Sequence, residues 1–420
     1  MSGKQELARL EFRQHWQLVM AAAIGFSFTS VMSGATGVFM EPLGKEFGWS
    51  RTLQASGLSI AAVVTIFLSP LLGRLIDRWG TRRLALPGLV VVAATTAGFS
   101  LANGSPIQWA AMWSVFALGG LATQSTVWTA AVSSVFDAGR GLALGLTLSG
   151  TAVAQAITPP LANYLIDAFG WRQAFVWLGL GWGSIAFLFC ALWFFDGYHA
   201  RQNARIPAPG TARGPLLDAP GLSIAEARRS TALWRIGIST FIMMGITVAL
   251  NVHQFQILVQ TGLDRTSAAL YSSVAGAAGV VGKLVTGWLL DRFPARWVGG
   301  LTLMITTVTF IVLLMPGATP AAIVFAMFIN GYAAGTKLQI AGYLTSAYGG
   351  MRNFGAIFGI MASLIAAGAG LGPILGGLVF DHFGSYDVFL VIGLVGTIFS
   401  AIVILGLPDY PDWTEAVVGT

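Results

Sequence analysis

Long apolar runs separated by short polar segments fill most of the chain. A membrane-spanning helix needs roughly 20 consecutive, mostly apolar residues, and twelve stretches meet that requirement. Their starts are predicted near Gln17, Leu53, Leu84, Ile107, Gly141, Gln173, Leu233, Ser267, Val298, Ala321, Gly355 and Val388. The runs are continuous and do not alternate with polar residues, which excludes a transmembrane β-barrel. The pattern therefore predicts an all-α membrane protein with twelve transmembrane helices.

The composition agrees with a lipid environment. The 420 residues are 55% hydrophobic and only 10% charged, whereas a soluble chain carries about 25% charged residues. The net charge of +6 does not indicate a nucleic-acid partner, because the basic residues form no stripe that could follow a phosphate backbone. The single cysteine, Cys190, excludes an intrachain disulfide and a cysteine-based metal site.

Lysine and arginine collect on one side of the predicted spans. Of the 23 basic residues, 17 fall on the side of the N-terminus, four fall on the opposite side, and Lys283 and Lys337 lie within spans. Cytoplasmic loops of membrane proteins carry an excess of basic residues. The bias predicts a multi-pass protein of the inner, cytoplasmic membrane, with both termini in the cytoplasm.

The chain contains an internal repeat with a constant offset of 214 positions. The offset relates Arg51-Thr52 to Arg265-Thr266, Asp77-Arg78 to Asp291-Arg292, Pro159 to Pro373, and Asp167 to Asp381. A gapless repeat over six spans predicts two parallel, pseudo-symmetric six-helix bundles, at residues 1–196 and 232–420. The segment 197–231, rich in Arg, Pro, Gly and Ala, is predicted to be a cytoplasmic linker with a short capped helix at Ser223–Arg229.

Part of this repeat resembles a known family signature. The segment from Gly73 to Arg83 is similar to the loop motif between helices two and three of the major facilitator superfamily, and Gly287–Arg296 is similar to its second copy. The resemblance implies the major facilitator fold and a cytoplasmic gate in which these charges hold the outward-facing state closed. The residues that match are Gly73, Asp77, Arg78, Gly80, Arg82, Arg83, Gly287, Asp291 and Arg292. The alternative is that these charges only set the topology.

The two lysines within spans are candidates for cargo binding, because a charge inside a membrane is costly and is usually functional. Lys283 lies eight residues before Asp291, roughly 12 Å from the end of its helix. Lys337 lies at a similar depth in the tenth span. Both are expected to face an aqueous cavity between the halves. Two cations with no carboxylate at that depth predict a small organic anion as cargo, unless the lysines only snorkel or form structural pairs.

A finer resemblance points to the bacterial monocarboxylate-transporter-like group. It rests on Gly37-Val-Phe-Met-Glu41-Pro42 with the following Gly48-Trp-Ser-Arg-Thr, and on Lys283. Lys283 stands where monocarboxylate transporters place a substrate-binding arginine, so the resemblance implies the same role for it. The chain departs from the group at Gly279, where many relatives have aspartate, around Ser33, where the animal members' lysine is missing, and at Lys337, where many bacterial relatives carry acids.

Other polar residues within spans are weaker candidates. Gln124, Trp128, Gln155, Asn251 and Asn330 could contact cargo, but amides in membranes more often join helices by hydrogen bonds. His253 could carry a proton near neutral pH, and Glu41 could do so at the outer end of the first span, unless both are simply solvated.

These patterns predict a monomeric secondary transporter that works by alternating access and is coupled to protons. Anion exchange, and export of amphipathic drug-like compounds, are the alternatives within this class. A receptor that binds ligand without moving it is the alternative from another class. No nucleotide-binding loop, metal cluster or nucleophile–base pair is present in the sequence, so we expect neither a cofactor nor enzymatic activity.

Overall fold

The computed structural model describes residues 3–136, 138–195, 221–290, 292–350 and 352–411. Over this part of the chain, twelve helices have the length and apolar character of membrane spans. The first six are α1 (Gly3–Ser27, a 3₁₀ turn at Phe28–Ser30, and Val31–Phe47), α2 (Arg51–Trp79), α3 (Thr81–Gly98 with a 3₁₀ turn at Phe99–Leu101), α4 (Pro106–Leu121 and Ser125–Ser133), α5 (residues 140–169) and α6 (residues 171–193). The last six are α7 (Thr231–Gln260), α8 (Arg265–Leu290), α9 (Ala295–Leu314), α10 (Pro320–Gly349), α11 (Phe354–Phe383) and α12 (Asp387–Leu405).

The boundary between α5 and α6 is a single residue. The helical stretch Arg140–Trp193 runs for 54 residues, and it is one of 11 stretches in the described chain that could cross a membrane. Gly170 interrupts it with φ 77° and ψ 160°. Such a backbone conformation is easily adopted only by glycine. The stretch therefore divides into two spans, and the predicted number of twelve is confirmed.

Helix ends coincide with residues that favour helix termini. Ser50, Ser105 and Thr319 each accept a backbone N–H from the first turn of α2, α4 and α10. Gly48 and Gly384 adopt the left-handed conformation that follows α1 and α11. Local sequence thus marks these helix ends.

The polypeptide before the first predicted span is also helical. The structure begins α1 at Gly3, whereas the apolar pattern predicts a start near Gln17. All other predicted starts fall within three residues of the observed ones. Polar residues at the start of α1 continue the helix beyond the apolar run, and hydropathy alone cannot detect such an extension.

We call the face at which α1 begins the near face, and the face at which it ends the far face. Across the two halves of the repeat, α5 packs on α8, α2 on α11, and α1 on α7. Gly276 of α8 lies so close to α5 that an added Cβ would overlap the backbone of Ala156. Small residues therefore bring the two halves into direct backbone contact along this seam.

The segment between the halves is described only from residue 221 onward. A short linker helix, Ile224–Arg229, begins with a capping box formed by Ser223 and Glu226. The Ser223 backbone N–H bonds the Glu226 carboxylate and holds the pKa of Glu226 below its usual value. Leu222 donates to the Gly349 carbonyl at 3.0 Å and so joins the linker to the near end of α10. The division at 1–196, 197–231 and 232–420 stays a prediction, since residues 196–220 lie outside the described chain.

The predicted gating motif is described only in part. Gly73 and Asp77 lie in α2, but their surroundings, and Asp291 altogether, lie outside what the structure describes. Arg82 donates to the carbonyls of Phe194 and of Ala191, the latter at 2.6 Å, and so ties α3 to the near end of α6.

The other matched residues lie at the near ends of helices. Arg78 and Arg83 are exposed, and Gly80 ends α2 with φ 79°. Arg292, which follows Gly287 and α8, lies over the Trp288 ring at 4.3 Å. The contacts of Arg82 lie within the first half, and the contact of Arg292 lies within the second half. The gating role therefore stays a prediction.

Candidate functional site

A cavity of about 370 Å³ lies between the two halves. The first half contributes α1 and α5 to its wall, and the second half contributes α7, α8 and α10. Its polar lining consists of Ser33, Thr151, Gln155, Thr247, Asn251, Gln254, Ser272 and Lys283. The rest of the wall is small or apolar. A cavity between the two halves is the usual location of a transporter's binding site.

Glycines shape the wall formed by α8 and α10. A Cβ on Gly331 would overlap the Ala275 carbonyl, and one on Gly335 would overlap the Gly279 carbonyl. The two helices can therefore approach to backbone contact. This close packing leaves room for the cavity on the side that faces α5.

Lys283 lies on the cavity wall and contacts the opposite half. Its Nζ donates to the Leu148 carbonyl of α5 at 2.9 Å and to the Thr151 Oγ1 at 3.3 Å. Of the described residues that line the cavity, Lys283 is the only one with a charged side chain. The cavity therefore carries a positive charge whose described hydrogen-bond partners are neutral.

Lys337 lies behind the wall and not on it. Its side chain is 7% exposed, and its Nζ donates to the Thr247 Oγ1, while Thr247 itself lines the cavity. Lys337 lies within α10 as predicted, but its side chain is directed toward α7 and not into the cavity. Lys337 can thus act on a bound molecule only through Thr247 or through its electric field.

The amides predicted as ligands divide into two groups. Gln155 and Asn251 line the cavity. Asn330 is buried one layer behind, and its Nδ2 donates to the Gln254 Oε1 at 3.0 Å. Gln254 does line the cavity, so Asn330 holds a wall residue in position. Gln254 in turn donates to the Ser272 carbonyl at 3.4 Å.

Gln124 and Trp128 lie away from the cavity, at a break in α4. Gln124 precedes the second part of α4 and donates to the Thr65 Oγ1 at 3.3 Å. Trp128 is fully buried and donates to the Thr123 carbonyl at 2.8 Å. Its ring packs against Gly25, where an added Cβ would overlap it. Both residues stabilise the interrupted helix in this structure.

His253 is buried within the second half. Its two ring nitrogens lie 2.9 Å from the Tyr386 hydroxyl and 2.9 Å from the Pro373 carbonyl. It joins α7 to α11 and to the start of α12, and it does not line the cavity. Sequence reasoning placed it near the membrane interface, where solvation was the alternative; the structure instead buries it completely.

Glu41 belongs to a contact between the halves at the far face. Its carboxylate pairs with Lys45 at 2.6 Å and with Arg265, the first residue of α8. The alternative from the sequence was that Glu41 is a solvated cap of its helix. In the structure, Glu41 instead forms an ion pair with the second half. The roles of Glu41 and His253 in proton coupling stay predictions.

A second far-face contact joins α11 to the start of α2. The Asp381 carboxylate accepts the backbone N–H groups of Arg51 at 2.8 Å and of Thr52 at 2.9 Å, and also the Thr52 hydroxyl at 2.5 Å. The first N–H groups of a helix have no partner within it. Asp381 of one half therefore caps a helix of the other. We call this set of contacts the far latch.

Sequence reasoning did not identify several residues that form the cavity wall and the far latch. The wall hydroxyls of Thr151, Thr247 and Ser272 carry no distinguishing signal, because hydroxyls in helices commonly bond their own backbone, as Ser272 does with Ala268 at 2.8 Å. The repeat did match Asp381 with Asp167, but a match between repeats does not reveal the partner of either residue.

Comparison with known proteins gives three kinds of match. A sequence profile of the Major Facilitator Superfamily matches residues 22–258 and residues 237–419. Monocarboxylate transporter 13 of Bos taurus is 25% identical over 400 residues, which cover 94% of this chain and 89% of the relative. The probable sulfoacetate transporter SauU of Cupriavidus necator is 29% identical over 279 residues, which cover 60% of this chain and 62% of the relative.

A solved structure shares the same architecture. It is the crystal structure of a bacterial homologue of the human lysosomal transporter Spinster, in an inward-facing and unoccupied conformation. The TM-score is 0.65 at 16% sequence identity, with 96% of this chain and 95% of the other covered. At this identity the match shows the fold alone.

Proposed function

The chain belongs to the major facilitator superfamily, and from this premise we propose that it carries a small organic anion, most simply a carboxylate, by alternating access. It is a transporter of the monocarboxylate-transporter-like group and not an enzyme. In the proposed cycle, the anion binds in the cavity between the halves, and the two bundles move around it.

The observation that carries the proposal is the charge of the cavity wall. Lys283 supplies an ammonium group, and no carboxylate lies among the described wall residues. A carboxylate would form a charge-assisted hydrogen bond with Lys283, which is roughly twice as strong as a bond between neutral groups. Gln155, Asn251 and Thr151 supply donors for its remaining oxygens. A volume of about 370 Å³ suits a small molecule.

The names of two relatives agree with an anionic cargo. Both a monocarboxylate and sulfoacetate are organic anions, and each is named as the cargo of one relative. We infer that the cargo of this chain belongs to the same chemical class. Export of amphipathic drug-like compounds fits less well, because Lys283 would repel cationic drugs.

We further propose that the near face is cytoplasmic in an inner membrane, since most basic residues lie at that face. The proposed carrier is a monomer coupled to protons, with Glu41 and His253 as candidate proton sites. Anion exchange is a second candidate, and one observation favours it: the described cavity wall holds a cation and no acid that could accompany the cargo as a proton carrier.

Thermal stabilisation of the purified protein tests the cargo class. The ligand panel contains monocarboxylates, dicarboxylates, sulfonates, aromatic acids, sugars and cationic drugs. A ligand at 100 times its dissociation constant adds about 2.7 kcal/mol to the native state, which such an assay detects. We expect organic anions to stabilise the wild type, Lys283→Ala to lose the shift, and Lys283→Arg, the matched control, to keep part of it.

Stabilisation by neutral or cationic compounds alone would overturn the anionic cargo and the role of Lys283 while leaving the family unchanged. Counterflow of the labelled hit in liposomes then separates a carrier from a receptor, because a receptor binds ligand but gives no flux.

A further inference from the structure

The contact between Lys283 and α5 crosses from one half of the transporter to the other. Lys283 belongs to α8, whereas its partners, the Leu148 carbonyl and the Thr151 hydroxyl, belong to α5. Both hydrogen bonds therefore run from α8 to α5. The residue proposed to bind cargo is therefore also a polar link between the two bundles along this seam.

The position of the Lys283 bond along the seam determines which side of the cavity it can keep closed. Three contacts between α8 and α5 follow one another toward the near face. Gly276 packs against Ala156, and the next contact is Gly279, whose added Cβ would lie 3.6 Å from the Ala152 Cβ. The third contact, nearest to the near face, is the bond from Lys283 to Leu148. The first two contacts are apolar and have no directional bond. Lys283 is thus placed to hold α5 and α8 together on the near side of the cavity.

The repeat gives no second copy of this link. At the offset of 214 positions, Ser69 stands in place of Lys283, Ala362 in place of Leu148, and Ile365 in place of Thr151. None of these side chains is an ammonium group. The seam between α2 and α11 therefore has no charged counterpart of Lys283 at the repeat position, and the Ser59 hydroxyl there bonds the Gly370 carbonyl instead.

Both acceptors of the Lys283 ammonium are neutral. The Leu148 carbonyl has a second lone pair to offer beyond its helix bond, and the Thr151 hydroxyl also donates to that carbonyl at 3.0 Å. An anionic oxygen in the cavity would offer the same ammonium a bond roughly twice as strong. The ammonium group has three N–H donors, two of which bond α5, so a cargo that takes more than one of them competes with α5 for Lys283.

We propose that Lys283 is a tether between the bundles that cargo releases. This inference rests on the proposed function. In the empty carrier the ammonium holds α5 against α8, and the anion draws it away and frees the near side of the seam. The empty carrier consequently changes conformation more slowly than the loaded one, so exchange of anions across the membrane is faster than their net movement.

The distance between α5 and α8 tests the tether without any knowledge of the cargo. Spin labels on Leu142→Cys and Leu284→Cys, whose native side chains are 57% and 55% exposed, report the near part of the seam. The native Cys190 is buried and escapes labelling. In chloride buffer we expect Thr151→Val and Lys283→Gln to broaden the distance distribution. Thr147→Val is the matched control, because the Thr147 hydroxyl bonds its own helix at Ala143.

Addition of lactate or sulfoacetate at constant ionic strength then tests the release. We expect the anion that stabilises the wild type to broaden its distribution as the variants do, and to have no further effect on Lys283→Gln. In liposomes loaded with that anion, the ratio of exchange to net efflux should fall by roughly threefold or more in Thr151→Val, the effect of losing one ordinary hydrogen bond.

The two parts of the experiment test the tether and its release by cargo separately. If Thr151→Val and Lys283→Gln leave the anion-free distances unchanged, the tether is overturned whatever the cargo is. If those variants loosen the seam but no organic anion does so in the wild type, the tether stands while its release by cargo, and with it the proposed cargo class, is overturned.

Discussion

Removal of the Asp381 carboxylate should weaken the far latch and populate a state that is open at the far face. Asp381→Ala deletes the acceptor for two backbone N–H groups at the start of α2 and for the Thr52 hydroxyl. Replacing a capping residue by alanine typically costs about 1 kcal/mol. Because the bond crosses the two halves, the cost falls on the far-closed state only. A loss of that size changes a population ratio roughly fivefold.

A reporter cysteine in the cavity measures this change. Ser33→Cys lines the cavity on α1, and in the proposed orientation an impermeant maleimide added to whole cells reaches it only from the far face. We expect Asp381→Ala to raise the labelling rate of this cysteine by roughly fivefold over the same reporter with Asp381 intact.

The internal repeat supplies a matched control for this experiment. Asp167 occupies the equivalent position at the far end of α5, but it accepts a hydrogen bond from Asn163 of its own helix at 3.0 Å. Asp167→Ala should therefore leave the labelling rate close to that of the reporter alone. Equal acceleration by both substitutions, or none by Asp381→Ala, would refute the assignment of Asp381 as a latch.

Two further predictions concern packing and protonation. Gly276→Ala would force a Cβ into the Ala156 backbone and should lower the apparent melting temperature, because overpacking costs about 1–3 kcal/mol. Gly279→Ala is the control and should leave the melting temperature unchanged, because its added Cβ would lie 3.5 Å from its nearest neighbour. The same melting temperature in both variants would contradict the packing argument. His253→Gln breaks up a fully buried hydrogen-bonded site that includes the Tyr386 hydroxyl and should lower the melting temperature. If His253 is a proton site as proposed, uptake should also lose its pH dependence in that variant, and an unchanged pH profile would exclude His253 from proton coupling.

Much of the fold follows from the sequence because each span is defined by local chemistry. Apolar length and terminal residues such as Ser50 and Gly48 fix where the helices begin and end. The interruption of α4 between Leu121 and Ser125 was not predicted, since it depends on distant support such as the Thr65 hydroxyl that bonds Gln124. Features supported by tertiary contacts leave no local signal.

The candidate site could be predicted only in part for a related reason. The cost of a charge in a membrane singles out both lysines, and the spacing along a helix gives the depth of each. The direction in which a side chain points depends on the rotation of its helix, which packing against neighbours decides. Lys283 and Lys337 both lie within spans, yet Lys283 lines the cavity and Lys337 bonds Thr247 behind it.

The two halves share a repeated sequence, but they do not form equivalent contacts at the far face. Gly377 lies so close to the start of α2 that an added Cβ would be 2.7 Å from the Thr52 backbone, and this approach lets Asp381 reach the helix terminus. The equivalent residue of the first half is Asn163, whose side chain donates to Asp167 of its own helix at 3.0 Å. A far-face cleft lined by Asp167 and Thr266 lies there instead.

The far latch and the Lys283 bond thus cross the halves on different seams and at different depths. The far latch joins α2 to α11 at the far face, and the Lys283 bond joins α5 to α8 on the near side of the cavity. Both are formed in this structure. An anion in the cavity can compete for Lys283, which lines it, but not for Asp381, which does not. If cargo releases the tether as proposed, binding weakens the near side while the far latch persists, and the loaded carrier opens first toward the near face.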